Sequence, residues 1–160
     1  MNALYGMKSE FGPVIPISVD RRISLDELFS RCDLGDVPSG MRDVSFANHA
    51  VKPAKKVARL LSIDRPMTTD EIVEGMEQIG WSEGTLRELV AVLVARPHLR
   101  ERVVAFGSRA FIQGKWTTPC LVFEDGRLKI ISSEPKTKWS SSWRFLAVRP
   151  TRERASRRKV

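Results

Sequence analysis

The sequence predicts an α+β fold: three short helices and a tight hairpin, extended by a small antiparallel sheet and a disordered basic carboxy-terminal tail. Three observations predict it. Apolar residues recur at helical spacing in three segments between residues 52 and 95. Glycine-centred turns separate β-rich runs between 102 and 132. Cations gather at the end of the chain.

Lys52-Pro53 places a proline where a first helical turn accepts it, and Val57, Leu60 and Leu61 follow at helical spacing. Asp64-Arg65-Pro66 breaks that helix. Thr68-Thr69-Asp70-Glu71 has the form of a capping box, in which hydroxyl and carboxylate satisfy free backbone donors reciprocally. Ile72, Val73, Met76 and Ile79 give the second helix its apolar face, and Gly80 stops it. A third helix is expected from Ser82, just after Trp81. Leu86, Leu89, Val90, Leu93 and Val94 form its buried stripe, and Arg96-Pro97 ends it. Gly107-Ser108 then lies between two apolar runs, Arg102 to Phe106 and Arg109 to Ile112. That pattern predicts a type II′ hairpin with Arg109 at its tip.

Helix, helix, helix and hairpin over residues 51–116 resemble the winged helix-turn-helix superfamily. The stretch is similar to small bacterial modules such as the amino-terminal domain of the RNA polymerase delta subunit. In those, Pro-Met/Leu-Thr-x-x-Glu-Ile starts the second helix; here the residues are Pro66-Met67-Thr68-Thr69-Asp70-Glu71-Ile72. The resemblance implies nucleic-acid binding or protein docking rather than catalysis, with the hairpin as the wing.

The rest of the chain divides around that module. Residues 1–50 read as an amino-terminal arm. Phe11 to Val19 is an extended segment that its prolines confine to a sheet edge or a groove. Ser24-Leu25-Asp26-Glu27 starts a short helix ending near Arg31. Residues 117–149 read as an antiparallel extension. Asp125-Gly126 sits between β-rich runs, a strong hairpin signal, and Trp143 to Arg149 supplies a last strand. Trp116, Trp139 and Trp143 fall among Lys115, Lys136, Lys138 and Arg144 and are candidates to stack bases, although burial is the commoner role of such residues.

Residues 150–160 form the tail. The net charge is +8, and from Arg149 to Val160 six basic side chains face one acidic one, so five of the eight excess charges sit there. So little apolar surface cannot offset the entropy of ordering, and the tail is expected to attract phosphate backbones without sequence preference.

Other classes find no support in the sequence. No run approaches the roughly 18 apolar residues of a membrane span, and the first eight residues lack the form of a signal peptide. Cys32 and Cys120 make neither a disulfide framework nor a zinc site, and a soluble cytoplasmic protein is expected. His49 and His98 have no evident catalytic partner, and Ser108 lies in a turn without a glycine elbow. No catalytic residue, metal or cofactor is assigned.

The expected function is non-enzymatic binding of double-stranded DNA, mainly through phosphates, in transcription regulation or genome organisation. The candidate contacts are Arg87, Arg96, Arg100, Arg102, Arg109, Lys115, Arg149, Arg152, Arg154, Arg157, Arg158 and Lys159. Arg87 is the one base reader on the outer face of the third helix, where Glu83 and Glu88 would repel phosphate. The alternative is an adaptor or inhibitor that docks a protein such as RNA polymerase through an exposed Ala91-Val92 face. Operator, oligomeric state and pathway are not legible.

Overall fold

The computed structural model describes residues 7, 12–32, 34, 54–112, 114–133 and 138–151. In chain order its elements are β1 (Ile15–Val19), α1 (Leu25–Ser30), β2 (Ala54–Leu61), α2 (Thr69–Gln78), β3 (Ser82–Glu83) and α3 (Leu86–Ala95). After these come β4 (Val103–Val104), a 3-10 turn at Phe106–Ser108, β5 (Ala110–Ile112), β6 (Lys115–Glu124), β7 (Arg127–Ser133) and β8 (Arg144–Pro150).

All eight strands join one mixed sheet. Strand β2 takes the full length of one edge of β8, with Val57 opposite Arg149 and Leu61 opposite Phe145. The other edge of β8 is shared end to end: β3 pairs antiparallel at Val148 and Ala147, and β4 pairs parallel at Arg144 and Phe145. Strand β6 repeats the device, with β4 and β5 sharing one edge and β7 taking the other. The edge strand β1 pairs with β2 and carries Pro16, where a missing donor costs least.

Successive residues of a strand face opposite sides, and here both sides are covered. Val148, Leu146, Ala58 and Leu121 face α1 and α3, where Phe29, Leu89, Val90 and Leu93 close one core. Phe145, Ala147, Leu61 and Cys120 face α2, where Ile72, Met76, Trp81 and Trp139 close the other. Aromatic packing fixes the second core. Phe106 stacks on Phe145 with centroids 5.6 Å apart, and Trp139 meets Phe106 and Trp143 edge-on at 5.6 and 5.3 Å. The result is a three-layer α/β/α arrangement.

That overturns the predicted winged helix with a small added sheet. The segment expected to form the first helix is β2 from Ala54 to Leu61; its expected start, Lys52-Pro53, lies outside the described residues. Val57 and Leu61 face one core while Ala58 and Leu60 face the other. A strand buried on both sides is apolar at 57, 60 and 61 just as a helix would be, so spacing alone does not separate the two. Without that helix there is no helix-turn-helix.

The wing is corrected too. Gly107-Ser108 belongs to the 3-10 turn, and β4 and β5 on either side of it pair with β6 rather than with each other. Gly107 is there for closeness, not for positive φ: its N–H donates to the Gly84 carbonyl at 2.8 Å. The third helix starts later than expected, with Thr85 and Glu88 forming its capping box and Ser82-Glu83 forming β3. Its stripe is buried at Leu86, Leu89, Val90 and Leu93, but Val94 is 57% exposed.

Other elements stand as the sequence has them. The Thr68–Glu71 box caps α2, and Gly80 leaves it with φ +78°. Ser24 accepts from the Glu27 N–H at the start of α1. Asp125 and Gly126, both at positive φ, make the two-residue turn between β6 and β7.

The close approach of the 3-10 turn to the start of α3 gives a stability prediction. A Cβ on Gly84 would meet Leu146 Cγ at 2.3 Å, and one on Gly107 would meet the Gly84 carbonyl oxygen at 2.8 Å. Gly84→Ala and Gly107→Ala should each cost about 1–3 kcal/mol in urea unfolding. An unchanged midpoint for Gly84→Ala would mean that Leu146 moves aside without cost.

Candidate nucleic-acid interface

One cation cluster follows from strand alternation. In β2, Val57 and Leu61 face the α2 side, so Lys55 and Arg59 do as well; in β8, Phe145 and Ala147 place Arg149 on the same side. Register puts Val57 directly opposite Arg149, so Lys55 and Arg59 are its two diagonal neighbours, roughly 7–8 Å away by ordinary sheet geometry. Both guanidinium groups lie over the buried indole of Trp81, with Cζ 5.1 Å (Arg59) and 4.5 Å (Arg149) from the ring centroid. Neither Nε has a hydrogen-bond partner, and neither arginine forms an ion pair, among the described residues. The Thr151 N–H donates to the Lys55 carbonyl at 3.2 Å, which ties the root of the basic tail to this cluster.

Of the cations picked from sequence that lie among the described residues, Arg149 alone belongs to it. Arg87 is no base reader. It is 6% exposed, and its guanidinium donates to the backbone carbonyls of Asp20 and Ile23, so α3 is pinned to the loop before α1. Burial pulls its pKa down from the ordinary arginine value, with Arg21 acting in the same direction and Asp20 opposing. Glu88, placed on an outer face by the sequence, is buried and bonded to Lys56 Nζ at 2.7 Å.

Arg96 and Arg100 serve the end of α3. Arg96 donates to the Ala95 carbonyl, and Arg100 donates to those of Pro97 and Leu99. Cations there offset the negative end of the helix dipole. Arg102 stacks on Trp143 at 3.8 Å, and Arg109 pairs with Glu83 at 2.9 Å while donating to the Phe106 carbonyl. Arg109 is therefore not the tip of a wing. Lys115 is exposed at the start of β6. Arg152, Arg154, Arg157, Arg158 and Lys159 lie outside the described residues, as does His49.

The docking face is corrected as well. Val92 is fully buried and Ala91 is half-buried, so the pair is not an exposed patch. Of the three tryptophans proposed to stack bases, Trp139 and Trp143 are core residues, and Trp116 is 59% exposed.

Sequence reasoning missed Lys55, Arg59 and Trp81 as a group because it read 52–61 as a helix. A signal was present: Lys55, Val57, Arg59 and Leu61 alternate, and a strand would have put both cations on one face.

Ser108 Oγ accepts from the Leu86 N–H at 2.7 Å, a capping role at the start of α3. His98 is exposed, and burial pushes the Cys32 thiol above its ordinary pKa, away from the thiolate. Among the described residues no group of three His, Cys, Asp or Glu could hold a metal, and no helix is long and apolar enough to cross a membrane. No protein-family model, curated protein or solved structure matches the chain.

Two predictions follow from the ionic groups. Arg87→Met should take the guanidinium donor from the Ile23 carbonyl, leave the Asp20 carbonyl with the Ile23 N–H alone, and cost about 1.5–3 kcal/mol in unfolding free energy; a neutral result would mean water replaces the guanidinium. The Thr68 N–H holds the Glu71 carboxyl below the ordinary carboxylate range, helped by the Thr68 hydroxyl, Arg65 and Lys138 and opposed by burial. A depressed folded pKa stabilises fully above the ordinary value of about 4.3 and stops doing so as pH falls through the folded value. Glu71→Gln keeps an acceptor in the capping box but no charge. Wild type should therefore melt above the glutamine variant at pH 7, with the gap closing in acid; a gap constant with pH would contradict this account.

Proposed function

We propose that this protein binds nucleic acid through phosphates, at the end of the sheet where β2 and β8 carry Lys55, Arg59 and Arg149. One observation carries the reading. Two guanidinium groups share one buried indole without an acidic partner among the described residues. Like charges held close together oppose folding, and a charge-balancing carboxylate would be the ordinary remedy. A phosphate supplies the missing negative charge from outside. The planar faces are used against Trp81 and each Nε is buried, so a phosphate would be met by the terminal guanidinium nitrogens.

The tail supports the same reading. Chain that leaves β8 at Arg149 and Pro150 runs into Arg152, Arg154, Arg157, Arg158 and Lys159. Their charge adds to that of the folded cluster because Thr151 is bonded to Lys55 at its edge. Such contacts give affinity and salt dependence rather than base recognition. A role in transcription or genome organisation would come from that general affinity and not from a recognition helix.

Salt titration of binding to random duplex and single-stranded DNA tests the proposal. Arg59→Gln and Arg149→Gln should each lower the slope of log affinity against log salt by about 1, and removal of residues 152–160 should lower it by several. Failure of the full chain to bind either form at low salt would end the nucleic-acid reading. Unchanged slopes in both arginine variants would leave the tail as the whole of the interface.

A further inference from the structure

We infer that the cavity beneath Trp116 receives an unpaired base, so that the protein prefers single-stranded over duplex nucleic acid. The inference rests on the nucleic-acid reading above and adds to it a second site with different chemistry. The cavity holds about 840 Å³ and opens between the first turn of α2, the start of α3, the 3-10 turn and β6. Trp116, Asp70, Glu83, Arg109, Thr85 and Thr118 line it.

The local sequence explains why the cavity exists. Gly107 N–H to Gly84 carbonyl, Ser108 Oγ to Leu86 N–H and Arg109 to Glu83 clamp the 3-10 turn onto the start of α3. Trp139 Nε1 donates to Thr69 Oγ1 at 2.9 Å and fixes the opposite wall at the start of α2. The walls are therefore held by backbone and side-chain hydrogen bonds.

Chemistry selects the occupant. Trp116 is the one tryptophan of the four that presents its ring to solvent; Trp81, Trp139 and Trp143 are each at most 3% exposed. An exposed indole beside a cavity offers a stacking surface to any base. Asp70 disfavours a phosphate inside but accepts from the exocyclic amino groups of bases, while the charge of Glu83 is taken by Arg109. The exposed cation Lys138 directly precedes the lining residue Trp139 in the chain. A base stacked on Trp116 and turned inward to Asp70 leaves its phosphate outside, toward Lys138. A duplex hides the faces of its bases in the stack, so only a single strand can use the site.

The test uses the full-length protein with a single-stranded oligonucleotide and the same sequence as duplex. Single strand should quench tryptophan fluorescence, and Trp116→Ala should abolish that quenching. The same substitution should weaken single-strand binding roughly 5-fold to 150-fold, the size of one lost stack, and leave duplex binding unchanged. Trp116→Phe should restore most of the affinity, and Asp70→Asn should change the ranking among homopolymer strands. Equal loss on both forms, or no loss on either, would overturn the inference while leaving phosphate binding in place. Absence of binding to both forms by the wild type would instead remove the nucleic-acid reading itself.

Discussion

The whole sheet depends on a contact between two glycines. Strand β8 needs partners along both edges, and no single strand covers its second edge. Strand β3 covers one end and β4 the other, in opposite directions. The chain just after β3 and the chain just after β4 must then touch. They do so where Gly107 N–H meets the Gly84 carbonyl at 2.8 Å and Gly84 N–H meets the Leu146 carbonyl at 2.9 Å. A side chain at either position would push β3, and α3 behind it, away from β8. The same contact brings Ser108 to the first turn of α3 and Arg109 to Glu83. It thus sets the helix start, the sheet edge and one wall of the Trp116 cavity together.

Legibility in the sequence tracks how local the determining interaction is. Caps and two-residue turns are settled within four residues of chain, and Thr68 to Glu71, Ser24 to Glu27 and Asp125-Gly126 all read correctly. The failures share a different cause. Val57, Leu60 and Leu61 fit a helix and a doubly buried strand equally, and only pairing to β1 and β8, distant in the chain, decides between them. Gly107-Ser108 has the composition of a hairpin turn, yet its conformation answers to Gly84, which lies twenty-three positions earlier. The site suffered more than the fold. One strand misread as a helix separated Lys55 and Arg59 from Arg149, and it made Arg87 look exposed when α1 and its loop cover it.

The fate of the arginines separates scaffold from interface. A guanidinium has five donors and a flat face. Arg87 turns its donors inward to carbonyls, and Arg96 and Arg100 spend theirs on the end of α3. Arg109 is neutralised by Glu83. In these residues charge contributes to folding. Arg59 and Arg149 differ from Arg109 in forming no ion pair among the described residues, and from Arg87 in resting their faces on one shared indole, that of Trp81. Cation–π contact stabilises a guanidinium without consuming its edge.

Position on the sheet strengthens that distinction. The two arginines come from neighbouring strands, so backbone hydrogen bonding, not a flexible loop, sets their separation. Trp81 is anchored by its own N–H to the Met76 carbonyl at the end of α2, so helix and sheet together fix the platform. Groups held this way would lose little further freedom if an anion were to bind them. A strand held at Lys55, Arg59 and Arg149 would meet the protein on the α2 side of the sheet, the side on which Glu83 and Phe106 border the cavity beneath Trp116. On the proposed reading, phosphate capture and base stacking would be successive parts of one surface, the arrangement a single strand needs and a stiff duplex cannot follow.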